Sequence, residues 1–385
     1  MKFAITSMAA LLAGTAPLLA GGIERAPQSL NILFEQGNYA ELSFGGADPT
    51  VEGPDSPPVG APIPQRDTGD VANGYGFVGL GYKHQFNDAL SAALIIEQPF
   101  GADVTYTPAA DGGSFLLGGT RARVDSTTVT ALMRYKLPNN LSFHGGLRGS
   151  RADAEVTLSG AAYGPISGYN VQLDQDWGVG FVVGAAYEIP DIAGRVSLTY
   201  NSKVEHQFDT VESVNGTILG RSTTTVDTPE SLTLEAQTGV AADTLVFGSI
   251  RWVNWSEFTV NPRIFSRAPT ATDPLGFNVT DGLVSLEDTT TYTLGVGRKF
   301  NETWSGSAAL VYEPENDDLV SPLAPTNGRL GLTLAAVYTM DNMKITTGIN
   351  YSKLGDARPQ TGGEPRAQME DSDLVGIGIR IGYSF

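Results

Sequence analysis

Apolar and polar residues alternate without interruption along the C-terminal stretch 373–385. Successive side chains of a strand point to opposite sides, so this pattern predicts a strand with two unlike faces. One face is small or charged, as at Gly378 and Arg380, and the other is apolar and ends on Phe385. In a soluble sandwich the apolar face would look inward, whereas in a transmembrane barrel it would meet lipid.

The same alternation recurs along the chain and predicts about fourteen strands, with about six short connections alternating with seven long ones. Aromatic residues cluster beside the short turns, as expected where strands cross a membrane interface. We therefore predict an all-β fold, a transmembrane antiparallel up-and-down β-barrel in the bacterial outer membrane with both termini on the periplasmic side. The predicted strands span residues 39–44, 74–86, 90–106, 126–137, 141–158, 176–187, 195–208, 231–240, 244–260, 289–300, 304–313, 329–340, 343–353 and 373–385.

The N-terminal residues form two segments that precede the barrel. Residues 1–20 contain Lys2, a long apolar run and small residues, which predicts a secretory signal peptide cleaved after Ala20 or, as a second choice, after Gly22. Residues 21–38 lack strand alternation and predict a short segment before the barrel, which spans residues 39–385.

Composition agrees with a barrel and narrows the partners. The chain has 385 residues, 46 glycines and no cysteine, and its mean hydropathy of -0.07 predicts no long apolar helix in the mature chain. A formal net charge of -18 argues against nucleic acid as a partner, because phosphate binding needs a basic surface. No phosphate-binding loop, dinucleotide fingerprint or metal-ligand spacing occurs, so neither a cofactor nor a metal is predicted.

Acidic residues concentrate in the predicted loops, as in the cluster Glu313, Glu315, Asp317 and Asp318. A solvated loop bridged to lipopolysaccharide phosphates through divalent ions is favoured over a dedicated calcium site, because spaced oxygens alone do not fix a coordination shell. The final Phe385 is similar to the signal that outer-membrane proteins present to their barrel assembly machinery. We expect a monomer surrounded by outer-membrane lipid.

Several stretches of the chain resemble the FadL family of outer-membrane transporters for long-chain fatty acids and other hydrophobic compounds. The resemblance covers nearly all of the mature chain and is carried by residues 176–180 (DWGVG), 184–188 (GAAYE), 198–200 (LTY), 228–230 (TPE) and 255–258 (WSEF). It implies a fourteen-stranded barrel, a short N-terminal hatch in the lumen and passive uptake of hydrophobic small molecules.

The third predicted strand contains Gln98, Pro99, Phe100 and Gly101, where strand pairing should break. Proline cannot donate to a sheet ladder and glycine weakens a strand. The site is similar to the family's kinked third strand, which implies a lateral opening through which an apolar ligand leaves for the membrane. The alternative is an ordinary β-bulge.

The resemblance also covers the N-terminal segment, in which Arg25, Ala26 and Pro27 share a proline with the family's Asn-Pro-Ala hatch element. This segment is far shorter than the family's usual hatch. At the position of one basic residue with which the family holds a fatty-acid carboxylate, this chain has Leu158.

Strand parity places four arginines in the lumen, with Glu97 and Glu235 among their candidate partners. A salt-bridged lattice is the favoured interpretation, and capture of a ligand carboxylate is the alternative. The four residues are Arg134, Arg148, Arg251 and Arg380.

Catalysis has little support in the sequence. Ser142 and His144 share a strand face, but no third group orients them, and the other histidines, His84 and His206, lie on different strands. We predict that the protein is not an enzyme.

The leading functional prediction is a passive channel for fatty acids or other hydrophobic compounds, with lateral release. The competing predictions are a water-filled porin for small polar solutes and, third, an adhesin that acts through its loops. The sequence leaves the hydrophobic substrate open.

Overall fold

The computed structural model describes residues 23–25, 30–58, 60, 65–270, 275–280, 282–316 and 319–385. The predicted signal peptide, the predicted hatch residues Ala26 and Pro27, and the acidic residues Asp317 and Asp318 lie outside the described residues. Within the described part, no helix is long and apolar enough to cross a membrane.

Strands make up nearly all of the regular structure. In chain order they are β1 (Tyr39–Thr50), β2 (Tyr75–Gln85), β3 (Leu90–Glu97), β4 (Gly101–Thr105), β5 (Arg121–Lys136), β6 (Leu141–Leu158), β7 (Tyr169–Ile189), β8 (Gly194–Asn201), β9 (Val204–Val214), β10 (Thr217–Thr228), β11 (Ser231–Ala241), β12 (Thr244–Val253), β13 (Thr289–Lys299), β14 (Trp304–Glu313), β15 (Leu319–Val320), β16 (Asn327–Met340), β17 (Met343–Gly355), β18 (Arg358–Thr361), β19 (Glu364–Pro365) and β20 (Asp373–Ser384).

These strands form a closed antiparallel barrel of 14 wall strands, which confirms the predicted fold. The barrel closes because β1 pairs with β2 on one side and with β20 on the other. Three wall strands are interrupted and consist of two segments each, namely β3 with β4, β8 with β9, and β10 with β11. The short strands β15, β18 and β19 form a separate three-stranded sheet between the long loops.

The strands change character along their length, and this divides the wall into two zones. We call the part nearer the short turns the membrane zone and the part nearer the long loops the external zone. The external zone comprises residues 121–126 of β5, 152–158 of β6 and 169–174 of β7, together with β9 and β10.

In the membrane zone the outward face is apolar, as the alternation predicts. On β6, Leu147 is 64% exposed while its neighbour Arg148 is 5% exposed and points inward. On β20 the outward face is Val375, Ile377, Ile379, Ile381 and Tyr383, all exposed. Such an apolar band is the surface that lipid requires.

In the external zone the same faces exchange polarity. On β9 the inward His206 and Phe208 are buried, and the outward Glu205, Gln207 and Asp209 are exposed. The inward side chains of this zone join an extensive apolar cluster, together with loop residues such as Tyr106 and Leu283. The external zone is therefore arranged like a soluble protein, with its core inside the barrel.

Several predicted strand bounds are wrong, and most of the errors lie in the external zone. The structure extends strand one to Thr50, begins β5 at Arg121 and β7 at Tyr169, and adds the whole of β10. The predicted strand 195–208 is interrupted at Ser202 and Lys203, and the predicted strand 244–260 ends at Val253. The connection between β9 and β10 is a tight turn rather than a long loop.

Candidate functional site

The third wall strand is interrupted where the sequence predicts a break. β3 ends at Glu97 and β4 begins at Gly101, and neighbouring side chains replace part of the missing ladder. The Gln98 Oε1 accepts a hydrogen bond from the Val78 N–H at 3.1 Å. The Ser126 Oγ accepts from the Phe100 N–H at 3.0 Å and donates to the Phe100 carbonyl at 2.6 Å.

Residues 23–25 supply the rest of the pairing at this break. The Arg25 N–H donates to the Pro99 carbonyl at 2.7 Å, and the Gly101 N–H donates to the Ile23 carbonyl at 2.8 Å. Glu24 and Phe100 are directly opposed in an antiparallel bridge. The break is thus covered from inside the barrel by a short extended piece of the N-terminal segment.

Side chains hold residues 23–25 against the wall. The Glu24 carboxylate accepts two hydrogen bonds from the Arg251 guanidinium, at 2.6 and 3.1 Å. The Arg25 guanidinium lies 3.6 Å from the Asp125 carboxylate and 4.7 Å from the Tyr75 ring centroid. Burial lowers the pKa of Arg25 from its ordinary value, and Asp125 opposes that shift. The bidentate pair of Glu24 with Arg251 fixes both the position and the orientation of residues 23–25.

An apolar cavity of about 80 Å³ lies directly behind the break. Phe100 is buried, lines the cavity and packs edge-to-face on Trp255 with ring centroids 5.8 Å apart. The described residues that line it include no lysine or arginine. The lining residues are Ile23, Phe100, Ala102, Ala122, Val124, Ser126, Ala152, Asp153, Ala154, Val156, Leu173, His206, Phe208, Val226, Thr228, Pro229, Trp255, Phe258, Val260, Leu283, Val284 and Leu323.

A buried carboxylate positions the loop that forms one wall of this cavity. Glu212 on β9 is fully buried and accepts hydrogen bonds from the Tyr169 hydroxyl at 2.8 Å and from the N–H groups of Ile264 and Phe265 at 2.9 Å. Ile264 and Phe265 belong to the short helix α1 (Arg263–Ser266). The loop 254–288 that contains α1 contributes the cavity residues Trp255, Phe258, Val260, Leu283 and Val284.

The lumen nearer the short turns is filled by residues 30–38. Leu30, Ile32 and Leu33 pack against inward side chains of the wall. The Lys83 ammonium donates to the Glu35 carbonyl at 2.6 Å, and Arg195 lies over the Phe34 ring at 4.0 Å. Both polar and apolar contacts therefore fix this segment inside the barrel.

Residues 31–374 match the model of a family described as "Outer membrane protein transport protein (OMPP1/FadL/TodX)". The chain belongs to this family. The family consists of outer-membrane transporters of hydrophobic compounds, and the chain is accordingly a multi-pass β-barrel protein of the outer membrane.

Solved structures of this family share the fold at low sequence identity. A FadL homologue of Pseudomonas aeruginosa is 15% identical, with 100% of each chain covered and a TM-score of 0.73. The Ralstonia pickettii toluene transporter TbuX is 14% identical over 97% of this chain and 99% of its own, with a TM-score of 0.62. The Pseudomonas putida toluene transporter TodX is 14% identical over 97% and 98%, also with a TM-score of 0.62. No curated protein matches the sequence.

The four arginines singled out in the sequence face the lumen, and acidic side chains surround them. Arg134 pairs with Glu188, which also lies 3.0 Å from Lys136. Arg251 pairs with Glu24, as described above. The Arg380 Nε lies 3.7 Å from Glu41.

Of the two predicted acidic partners, Glu235 accepts a hydrogen bond from Ser197 at 3.3 Å, and Glu97 is the last residue of β3, beside the break. These pairings favour a salt-bridged lattice, and capture of a ligand head group by the four arginines stays a prediction.

The structure places Ser142 and His144 on one face of β6, as predicted, and it contradicts the predicted exposure of Glu313. The Arg134 Nε–H donates a hydrogen bond to the Ser142 Oγ at 3.1 Å, and the His144 Nε2 is hydrogen-bonded to the Thr199 Oγ1 at 2.9 Å. Ser142 and His144 therefore have separate partners. Glu313 is not a solvated loop acid, because it is 4% exposed and accepts a hydrogen bond from Thr291 at 2.7 Å, with Arg329 3.9 Å away.

Most of the cavity lining was not predictable from the sequence. Trp255 and Phe258 belong to a stretch that resembles the family, but that stretch does not indicate a cavity. Ile23, Leu283 and Leu323 lie in segments without alternation, so strand parity gave them no direction.

Proposed function

We propose that the protein is a passive channel that takes hydrophobic molecules into the apolar cavity and releases them sideways through the wall at residues 98–101. The observation that carries this proposal is that Phe100 belongs both to the break and to the lining of the cavity. A molecule in the cavity is therefore separated from the break by one aromatic side chain and by residues 23–25.

Opening this route requires residues 23–25 to leave the wall. Their withdrawal would break two backbone hydrogen bonds and the Glu24–Arg251 pair. Each backbone hydrogen bond contributes about 0.5–1.5 kcal/mol. The freed backbone would border an opening, which is where unpaired groups are tolerated at membrane depth. A closed state of modest stability suits a channel that opens only transiently.

The transfer of apolar surface from water to cavity and then to lipid supplies the driving force, at about 25 cal/mol for each Å². The packing of residues 30–38 in the lumen supports this proposal over the water-filled porin. Assembly through the strand that ends at Phe385, contact of the loops with lipopolysaccharide and a monomeric state remain predictions.

The cavity favours small neutral ligands or one end of a longer chain. One water needs roughly 10–15 Å³ on this scale of volume, so about 80 Å³ suits a single ring or a short alkyl segment. The lack of a cation among its described lining residues favours uncharged compounds over fatty-acid anions. Two of the related structures are toluene transporters, which supports an aromatic hydrocarbon as the first substrate to test.

A reversible cross-link across the break tests lateral release. Glu24 and Phe100 are directly opposed, and such pairs have Cα atoms about 4.5–5.5 Å apart, within disulfide range. The natural sequence has no cysteine, so the double variant Glu24→Cys/Phe100→Cys contains one unique pair. We expect its oxidised form to lose uptake of radiolabelled toluene in a host that lacks such transporters.

Reduction of the same double variant is the matched control, because it restores motion without changing any residue. The Glu24–Arg251 pair is absent from both the oxidised and the reduced form, so its loss cannot cause a difference in uptake between them. We expect uptake to recover on reduction. Equal uptake in the oxidised and reduced forms would exclude the lateral route. The cross-link is preferable to repair of the strand by substitution at Gly101, since a Cβ there would lie 2.5 Å from Arg25 Cζ.

A further inference from the structure

Among the described residues that line the cavity, His206 is a buried polar side chain whose ring nitrogens have no hydrogen-bond partner. Four polar residues line it, and two are engaged, Ser126 with the Phe100 backbone and Thr228 with the Val204 carbonyl at 3.3 Å. Asp153 is half-buried. His206 is 1% exposed, and neither ring nitrogen has a hydrogen-bond partner among the described residues.

The surroundings of His206 give its two nitrogens different roles. Its ring stacks on Phe208 with centroids 5.4 Å apart and an interplanar angle of 12°. Nδ1 lies 3.9 Å from the Asp176 carboxylate, too far for a hydrogen bond but close enough for its charge to favour a proton on that nitrogen. Burial lowers the pKa of His206, in the external zone of the wall, and the neutral ring then keeps Nε2 as an acceptor.

The charges at this end of the cavity select the kind of group that can bond there. Asp153 lines the cavity, Asp176 lies 3.9 Å from His206 Nδ1, and no described lining residue is a lysine or arginine. A carboxylate would be repelled, and a pure hydrocarbon would leave the nitrogen unpaired, which is costly for a buried polar group. A neutral hydroxyl can donate to the nitrogen without bringing in charge.

We propose that His206 Nε2 accepts a hydrogen bond from a hydroxyl of the transported molecule, so that the cavity prefers neutral apolar compounds with one hydroxyl, such as alkylphenols. This inference rests on the proposed function, because it assumes that the cavity is on the transport route. It names a substrate class that hydrophobicity alone does not distinguish.

Binding of three ligands of similar shape tests the proposal. Toluene has no polar group, 4-methylanisole has an ether acceptor, and p-cresol has a hydroxyl donor. Each is measured by equilibrium dialysis against the folded barrel in lipid nanodiscs, and empty nanodiscs correct for partition into lipid. We expect p-cresol to bind about threefold to tenfold more tightly than toluene, the range of one neutral hydrogen bond, and 4-methylanisole to bind like toluene.

The substitution His206→Phe removes the acceptor and keeps a ring that can stack on Phe208. It should abolish the preference for p-cresol while leaving toluene binding within about twofold. His84→Phe is the matched control, because His84 lies on β2 near a short turn and does not line the cavity. Toluene binding to each variant verifies that the cavity has formed.

The outcomes separate the two proposals. Equal binding of all three ligands to the natural protein, or a preference for p-cresol that survives His206→Phe, would overturn the role of His206 and leave the channel proposal standing. If 4-methylanisole bound as tightly as p-cresol, and both bound more tightly than toluene, the requirement for a hydroxyl donor would be overturned. Failure of all three ligands to bind would contradict both proposals.

Discussion

The membrane zone and the external zone are built from the same strands but carry their apolar side chains on opposite faces, outward in the membrane zone and inward in the external zone. On β6 the outward Leu147 is exposed and the inward Arg148 is buried, whereas eight residues further along the outward Glu155 is exposed and the inward Val156 is buried. The backbone alternates in the same way throughout. The surrounding medium, lipid in one zone and water in the other, therefore decides which face must be apolar.

This comparison explains where the cavity lies. In the membrane zone the inward face carries charged residues such as Arg134 and Arg148, and residues 30–38 fill the lumen there. In the external zone the inward face is apolar, and loops complete a core around it. The break at residues 98–101 lies where an apolar interior comes within reach of the lipid-facing wall. The lateral release that we propose needs this juxtaposition.

A charge placed on the outward face of each zone provides the strongest test of the comparison. Leu147→Arg should destabilise the barrel by about 2–4 kcal/mol, the cost of arginine near the middle of a bilayer. Gln207→Arg, on the outward face of the external zone, should change stability by no more than about 0.5 kcal/mol. The measurement is urea-induced unfolding in lipid vesicles, and similar losses in both variants would contradict the division into two zones.

The loop anchor in the external zone provides the next test. Glu212→Ala leaves the Tyr169 hydroxyl and the N–H groups of Ile264 and Phe265 without their acceptor, at a cost of about 1–3 kcal/mol. We expect local opening of the loop 254–288, because external loops and wall can separate without unfolding the membrane zone. Hydrogen exchange should show faster exchange in this loop and unchanged exchange in β17 and β20.

The exposed Glu205 on the same strand provides the control for Glu212. Glu205→Ala should leave exchange in the loop 254–288 unchanged, since Glu205 is exposed on the outward face of β9, opposite to the face that carries Glu212. If Glu212→Ala also accelerated hydrogen exchange in β17 and β20, the two zones would unfold as one unit. That result would contradict a separate stability of the external zone.

Alternation predicted the features of the fold that depend on the membrane. The number of wall strands, the outward apolar face of β20 and the inward direction of Arg134 and Arg148 all follow from a period of two. The break was predictable as well, because Pro99 removes a ladder donor. Each of these depends on residues close together in the sequence.

The external zone was harder to predict because its polarity is reversed. The stretch 217–228 is rich in threonine and charged residues on its outward face, so it did not read as a transmembrane strand. The cavity combines β4, β9 and the loop 254–288, and no local pattern brings Phe100, Phe208 and Trp255 together. The cover over the break was also hidden, since residues 23–25 contact it through backbone groups.

One signal for the external zone was present in the sequence, and it leads to the smallest predicted effect. Asn215 and Gly216 have positive φ angles of 48° and 80° between β9 and β10, as in a two-residue hairpin turn of type I′. Gly216→Ala should cost about 1–2 kcal/mol, because a side chain disfavours this conformation. A Cβ at this position meets no atom within 4 Å, so the cost comes from the backbone conformation and not from contact with neighbouring atoms.

Asn215→Gly keeps the turn and should change stability by a few tenths of a kcal/mol. The same urea titration measures both variants, with exchange at β9 and β10 as the local readout. A loss confined to this hairpin would sharpen the division into zones, whereas a loss spread through the membrane zone would break it.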